Sequence, residues 1–405
     1  MTNVALLHYS APPIVGGVES VLGRHAHLMA DAGHQVRIVA GRGEQTDPRI
    51  PFIHLPTADS RHPDVLAIKA ELDEGRVPSR FAELVDALTA NLSEVLDDVD
   101  VLVAHNVCSL NKNLALTAAI QNLTNHNHLR IILWHHDLAW TTPRYRAELH
   151  DGYPWDLLRQ AWPGVKQVTI SEMRQHELAE LFQISEDDIA VVPNGVDVAR
   201  FHKLEKQTRE YVKQLDLLHA CPLLLLPVRI TPRKNIELAL RVCANLIQYF
   251  PDTKLVVTGP LGPHNPANVK YFERLAALRK ELGLDNIVYF LAELTTEYIS
   301  DEIISDFYHL ADALLLPSRE EGFGIPVLEA GLAGLLIFCS DIPPLRSLGG
   351  SYVTYFSPDA DPNELANTIA NRLSSNPVFR MRVDVRRQFT WERIYVQNIA
   401  PLLME

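Results

Sequence analysis

Residues 313–330 read ALLLPSREEGFGIPVLEA, and the organisation of the chain can be worked out from them. The stretch 313–317 is a short apolar strand. Gly322 and Gly324 let the loop backbone approach a ligand closely and leave N–H groups loose. Pro326 suits the first turn of a helix, where no donor is needed. Such a helix start carries partial positive charge and free N–H groups, which favour a phosphate. Glu321 sits on the loop and Glu329 inside the helix, so two carboxylates can accept hydrogen bonds from two hydroxyl-rich parts of one ligand. By spacing alone, two glutamates eight residues apart are surface charges. Strand, paired glycines, proline and both acids together point to a ligand site.

The same strand–loop–helix alternation extends in both directions. Upstream, apolar strands are predicted at 4–10, 35–40, 99–105, 129–135, 167–171 and 189–193, with helical spacing at 17–33, 80–96 and 112–123. Downstream, strands are predicted at 223–229, 254–259, 287–291, 313–317, 335–340 and 352–356, with helices at 235–250, 269–282 and 299–311. This is an α/β pattern of mostly parallel sheets with helices on both faces. The 405 residues divide into two doubly wound units near residue 200. A final helical stretch covers 391–403. The polar stretch 61–80, with Pro63 and Pro78, reads as an irregular insertion beside a ligand cleft.

Charge and composition exclude several classes. A net charge of −13 repels nucleic acid and anionic lipid surfaces. No apolar run is long enough to span a bilayer. The start, Met-Thr-Asn-Val-Ala-Leu-Leu, lacks the basic region and cleavage site of a leader. Cys108, Cys221, Cys243 and Cys339 are widely spaced in apolar segments and read as reduced core residues, so a cytoplasmic protein is expected. Asp98-Val99-Asp100 and Asp359-Ala360-Asp361 match Asp-x-Asp as text but fall away from strand ends, and read as caps and turns. His126-Asn127-His128 reads as a polar loop. No metal ligand set is assigned.

Three further segments carry chemistry. Arg229 and Lys234, in 226–235 (LPVRITPRKN), end the first strand of the second unit beside a helix start. A guanidinium and an ammonium in that place suit a diphosphate, and both are expected to be partly exposed. Gly16 and Gly17 lie between the first strand and its helix, where a double glycine admits an anion or a sugar or forms a plain turn. In Trp134-His135-His136-Asp137-Leu138 the adjacent histidines point to opposite sides of a strand, so one of them can face a ligand.

The segment 321–330 (EGFGIPVLEA) resembles the E-x7-E signature of the family 4 glycosyltransferases, and the resemblance runs from the first strand to the last helix. It implies the GT-B fold: two Rossmann-like domains facing across a cleft, residues 1–200 with a returning 385–405 on the acceptor side and 201–384 on the donor side. It implies that Glu321 contacts the donor sugar, that Glu329 holds the ribose, and that N–H groups of Phe323, Gly324 and Ile325 meet the sugar and diphosphate. Arg229 and Lys234 match the family's diphosphate ligands. Gly16 and Gly17 match its first glycine loop, facing donor phosphate and acceptor. His136, followed by Asp137-Leu138, matches the histidine near the transferred sugar, with His135 as the runner-up. Residues 192–197 (VPNGVD) match its hinge turn. The chain departs from the family at Gly334-Leu335-Leu336-Ile337, where Gly-x-Pro-Val is usual, and at Ser347, where many members carry a glutamate.

The implied activity is retaining transfer of a hexose, glucose or mannose, from a nucleotide-diphosphate sugar to a hydroxyl of a sugar-containing, polyol or acid acceptor. No cofactor is required in this reading, and a divalent metal is at most stimulatory. Leaving-group charge on the β-phosphate would be met by Arg229, Lys234 and the helix start. A sugar-nucleotide 2-epimerase and a non-catalytic two-lobed nucleotide-sugar binder are the alternatives on the same fold.

Overall fold

The computed structural model describes residues 1–125, 128–260, 266–295 and 299–404. His126 and Asn127 of the polar loop at 126–128 lie outside them. The chain divides into two compact units, Met1–Gly195 with Trp391–Glu405, and Val196–Thr390.

In the first unit, β1 (Asn3–Ser10), β2 (Gln35–Arg42), β3 (Phe52–His54), β4 (Val101–His105), β5 (Arg130–His135), β6 (Lys166–Thr169) and β7 (Ile189–Val191) form a parallel sheet in the order β3-β2-β1-β4-β5-β6-β7. Its helices are α1 (Gly17–Asp31), α2 (Pro63–Asp73), α3 (Ser79–Val95), α4 (Leu114–Asn122) and α5 (Glu172–Phe182). Successive strand residues face opposite sides. Ala5, Leu7, Leu102 and Ala104 therefore pack with Phe81, Leu88 and Leu92 of α3. Val4, Leu6, Val101, Val103 and Trp134 pack on the other face with Leu22, Ala26 and Met29 of α1. Burial on both faces is why these strands read as continuous apolar runs.

The second unit continues with α6 (Val198–Phe201), α7 (Lys206–Gln214), α8 (Ile236–Leu246), α9 (Pro266–Glu281), α10 (Asp301–Leu310), α11 (Ile325–Leu332), α12 (Pro343–Gly349), α13 (Pro362–Ser374) and α14 (Pro377–Gln388). Its strands β8 (Leu223–Leu226), β9 (Lys254–Val257), β10 (Val288–Phe290), β11 (Ala313–Leu316), β12 (Leu336–Ser340) and β13 (Thr354–Phe356) form a parallel sheet in the order β10-β9-β8-β11-β12-β13. Both Asp312 carboxylate oxygens, just before β11, bind the guanidinium of Arg386 on α14, at 3.0 and 2.7 Å. One of those oxygens also accepts from the Leu223 N–H at 2.8 Å.

The last residues return to the first unit as α15 (Trp391–Ile394), a π-helical turn at Tyr395–Ile399 and α16 (Ala400–Met404). Trp391, Ile394 and Tyr395 join the α1 face of the first sheet. The Trp391 ring lies on Gly195, where an added Cβ would come within 2.7 Å of it. The turn at 192–197 is thus also a packing site, and only glycine fits there.

The expectation for 61–80 needs correction, because the stretch contains α2 and the start of α3. His62 caps α2 by accepting from the Asp64 N–H, and Pro63 takes the first-turn position it favours. Val65, Ile68 and Leu72 then bury one helical face. The polar composition belongs to the exposed face of an amphipathic helix. β3, only three residues long, has no counterpart in the sequence reading. Among the described residues no helix is long and apolar enough to cross a membrane.

Candidate functional site

In each sheet the strand order reverses once, between β1 and β4 and between β8 and β11. Open α/β sheets bind ligands beyond the carboxyl ends of the strands at such points. The sequence-derived site residues gather at these two places.

In the second unit the loops after β8 and β11 are tied together. Asn235, in a left-handed conformation at φ 53°, donates its side-chain amide to Pro317 O at 3.1 Å and Pro358 O at 2.9 Å. The Arg319 N–H bonds Arg233 O at 2.8 Å. This brings Lys234 Nζ within 2.6 Å of Glu321 Oε1, and the Ser318 hydroxyl donates to the same oxygen at 2.7 Å. Lys234 is 7% exposed, which corrects the expectation of partial exposure. A buried ammonium needs a counter-charge, and Glu321 supplies it. Arg229 is exposed and makes no hydrogen bond or ion pair among the described residues. Gly259 follows β9 and allows the close approach, since a Cβ there would lie 1.9 Å from Val228 O.

Gly324 begins α11 at φ 102°, and a Cβ on it would strike Leu345 at 2.5 Å. It turns Phe323 and Ile325 outward, each 57% exposed, beside the free N–H groups of the first helical turn. Glu329, one turn further on, accepts from the Tyr308 hydroxyl of α10 at 2.6 Å. Burial, and then the hydrogen bond to Glu329, push the Tyr308 phenol above its usual range, so the hydroxyl stays a donor. The two glutamates therefore have separate partners, a cation for one and a phenol for the other.

In the first unit Gly16 is the extended N-cap of α1. The Glu19 carboxylate folds back over it, and a Cβ on Gly16 would lie 2.0 Å from Glu19 Oε2. The Ser10 hydroxyl donates to Glu19 Oε1 at 2.6 Å. Burial raises the Glu19 pKa, but the Ser10 bond, its own backbone N–H and the charges of His8 and Lys112 together leave it below the ordinary value. The helix start expected to meet an anion thus carries an acid of its own, while Gly17 faces open space.

The neighbouring histidines point apart. His135 hydrogen-bonds Gln167 at 2.8 Å and sets its ring edge against Phe182. His136 faces the α1 side, its Nε2 3.3 Å from His105 Nδ1. The backbone N–H groups of His136 and Asp137 both donate to Asn106 Oδ1, at 3.0 and 2.9 Å. Burial, reinforced by the charge of His8, lowers His136 to about 4, so it is uncharged at neutral pH. His8, at about 4, and His25, at about 3, are lowered by burial as well.

Asp98 pairs with Arg37, and Asp361 caps α13. Among the described residues no group of three or more His, Cys, Asp or Glu converges as a metal site. The four cysteines are free thiols. Burial holds Cys243 and Cys339 up at about 12.

Sequence reasoning missed Ser318, Tyr308, Asn235, Gly259, Glu19, His8 and His105. The one readable signal was that β4 and β5 each end on a histidine. Tyr308, Asn235, Gly259 and His8 act through contacts between segments far apart in the chain, whereas Ser318 and Glu19 act within ten residues, through side-chain conformations that the sequence does not record.

Two parallel Rossmann-like sheets of seven and six strands are the architecture of the GT-B glycosyltransferases. The models of Glycosyltransferase Family 4 and of Glycosyl transferases group 1 match residues 15–200 and 207–388, together most of the chain. The chain belongs to this family of retaining hexosyltransferases, which depend on nucleotide sugars. It is 25% identical to the MMP alpha-(1->4)-mannosyltransferase of Mycolicibacterium hassiacum, over 98% of this chain and 97% of that one. It is 26% identical to the mannosylglucosylglycerate synthase of Thermotoga maritima, over 84% and 83%. A structure of sucrose-phosphate synthase from Thermosynechococcus elongatus aligns with 100% of this chain and 98% of its own at 19% identity, with a TM-score of 0.37.

Proposed function

We propose that the protein moves a hexosyl group, glucose or mannose, from a nucleotide-diphosphate sugar to a hydroxyl of a small polar acceptor, with retention of anomeric configuration. The observation that carries this is the buried Lys234–Glu321 pair at the carboxyl ends of β8 and β11, with Arg229 exposed on the same loop as Lys234 and unpaired among the described residues. In this reading the second unit holds the donor and the first the acceptor. Arg229, Lys234 and the start of α11 meet the diphosphate, Glu321 meets the sugar and Glu329 the ribose, with Gly16 and Gly17 on the acceptor side.

As the bond from the anomeric carbon to the β-phosphate oxygen breaks, charge grows on that phosphate. Fixed cations and N–H dipoles stabilise this charge without having to reorganise. The acceptor oxygen attacks from the face the phosphate leaves, and a phosphate oxygen takes its proton. The products are the glycoside and the nucleoside diphosphate. The names of the two relatives, a mannosyltransferase and a mannosylglucosylglycerate synthase, favour mannose and an acceptor of modest size.

The test supplies GDP-mannose or UDP-glucose with small hydroxy acids, polyols and sugar phosphates, and follows products by mass spectrometry. A glycoside plus nucleoside diphosphate is expected, with turnover persisting in excess chelator. A changed nucleotide sugar from donor alone would favour the 2-epimerase. Activity lost in chelator and restored by magnesium or manganese would overturn the metal-independent mechanism.

A further inference from the structure

Four histidines of the first unit lie together at the reversal between β1 and β4: His8, His25, His105 and His136. Their hydrogen positions can be deduced in sequence. His8 Nδ1 is 2.6 Å from the His105 carbonyl oxygen. A carbonyl only accepts, so the His8 hydrogen is on Nδ1. His105 Nδ1 is 3.3 Å from His136 Nε2, and one of these nitrogens must donate to the other. His105 Nε2 is enclosed without a partner. A buried N–H left unmatched is less tolerable than a buried lone pair left unmatched, so the His105 hydrogen belongs on Nδ1 and points to His136. The far side of His105 is closed by His25, whose nitrogens also lack partners and whose ring sets its edge against Trp134.

His136 then accepts at Nε2. Since burial keeps the ring uncharged at neutral pH, its single hydrogen is on Nδ1. Among the described residues that nitrogen has no partner, and it is not among the enclosed, unmatched atoms. Asn106 fixes the backbone on which the ring stands.

We propose that His105 is a positioning residue that holds His136 in the tautomer presenting an Nδ1–H to a ligand hydroxyl. This rests on the reading of His136 as a sugar-facing residue. Through Nδ1, His136 can donate to a hydroxyl oxygen but cannot take a proton from one. The group is a hydrogen-bond donor for a polyol, and proton transfer falls to the leaving phosphate.

The decisive measurement is a long-range proton–nitrogen correlation spectrum of the full chain labelled with nitrogen-15 at histidine, assigned by loss of signals in His136→Ala and His105→Leu. His136 is expected to show a protonated Nδ1 and a bare Nε2, and His105 a protonated Nδ1. A His136 protonated at Nε2 would overturn the proposal, and assignment of the two rings through backbone correlation spectra of the unmodified chain keeps that outcome readable even if every variant failed to fold. Kinetics give the second readout. His105→Leu should lower kcat by about tenfold or more with little change in donor KM, the pattern of an interaction lost mainly in the transition state. His105→Asn, whose amide can donate from nearly the same place, should recover part of that loss. Equal losses in folded Leu and Asn variants would also overturn it. If the spectrum shows the expected tautomers while His136→Ala turns over normally, the hydrogen positions stand and the sugar-facing role of His136 falls.

Discussion

At the residue scale, the Lys234–Glu321 pair decides most. Lys234→Ala removes a stabiliser of developing phosphate charge, expected to lower turnover by about 3 kcal/mol, or two orders of magnitude. Because both side chains are buried, it also strands the Glu321 carboxylate, at a cost to stability of about 3–5 kcal/mol. Lys234→Ala/Glu321→Ala should regain part of that stability without regaining activity. Denaturant unfolding beside initial rates checks this, and full additivity would contradict the coupling. For the other glutamate, Glu329→Ala should weaken free nucleoside diphosphate and donor alike, whereas Glu321→Ala should weaken the donor and leave the nucleotide nearly unchanged. Tyr308→Phe removes the hydroxyl that orients Glu329. It should weaken nucleotide binding by about tenfold, the worth of one lost hydrogen bond to a charged group. Calorimetry with nucleotide and donor separates the three. Both glutamates were legible in sequence, Glu321 on a glycine-rich strand-end loop and Glu329 inside the helix that follows it. Tyr308 was not, because it sits in a different helix 21 residues away.

At the scale of elements, α14 packs through Phe379 and Val383 and through one buried charge pair. Arg386 and Asp312 have side-chain exposures of 6% and 0%. Arg386 also donates to Leu310 O and Ala220 O. Arg386→Met should destabilise the second unit by about 3–5 kcal/mol, because it leaves Asp312 charged and uncompensated. Arg386→Met/Asp312→Leu should be milder. Hydrogen exchange of the β8 and β11 amides reads the second unit alone. Equal loss in the single and double variants would show that the pair is not the source. The sequence offered no sign of this pair, since its members are 74 residues apart and no local pattern joins them. By contrast, α11 was legible throughout, with Gly324, Pro326 and the apolar strand before it each constrained by local backbone physics.

At the scale of the whole molecule, the buried histidines make stability depend on pH. His8, His25, His135 and His136 have folded pKa values of about 4, 3, 4 and 4. Burial is the first cause in each. The unfolded chain takes up protons near pH 6.5, where the folded chain does not, so more protons bind to the unfolded state and stability rises with pH. Their contribution is complete above about pH 6.5 and is lost as pH falls toward 4, at up to about 1.4 kcal/mol per pH unit for each histidine. All five tryptophans lie in the first unit. Denaturant unfolding followed by tryptophan fluorescence should therefore show a falling midpoint from pH 7 to pH 5. His25→Phe, which removes the group facing Trp134, should flatten that slope. A midpoint unchanged over this range would contradict the uncharged cluster.

The sequence by itself determined the two doubly wound units, nearly all the strands and the strand-end loops that carry Arg229, Lys234, Glu321 and Glu329. Those features follow from apolar runs, helical spacing and the backbone needs of glycine and proline, all of which act within a dozen residues. The preference for His136 over His135 came from the resemblance to the family, through Asp137-Leu138, and not from local physics. Only the tertiary structure decided that Lys234 is buried against Glu321, that Tyr308 holds Glu329, that Glu19 covers Gly16 and that His8 and His105 stand beside His136. Apart from the Glu19 contact, which lies within one helix start, these contacts join side chains whose separation is set by how the strands are ordered and how the helices pack on them. Parallel strands bring residues nearly a hundred positions apart into adjacent rows, as for His8 and the carbonyl of His105, and no local regularity of sequence records which rows will be neighbours.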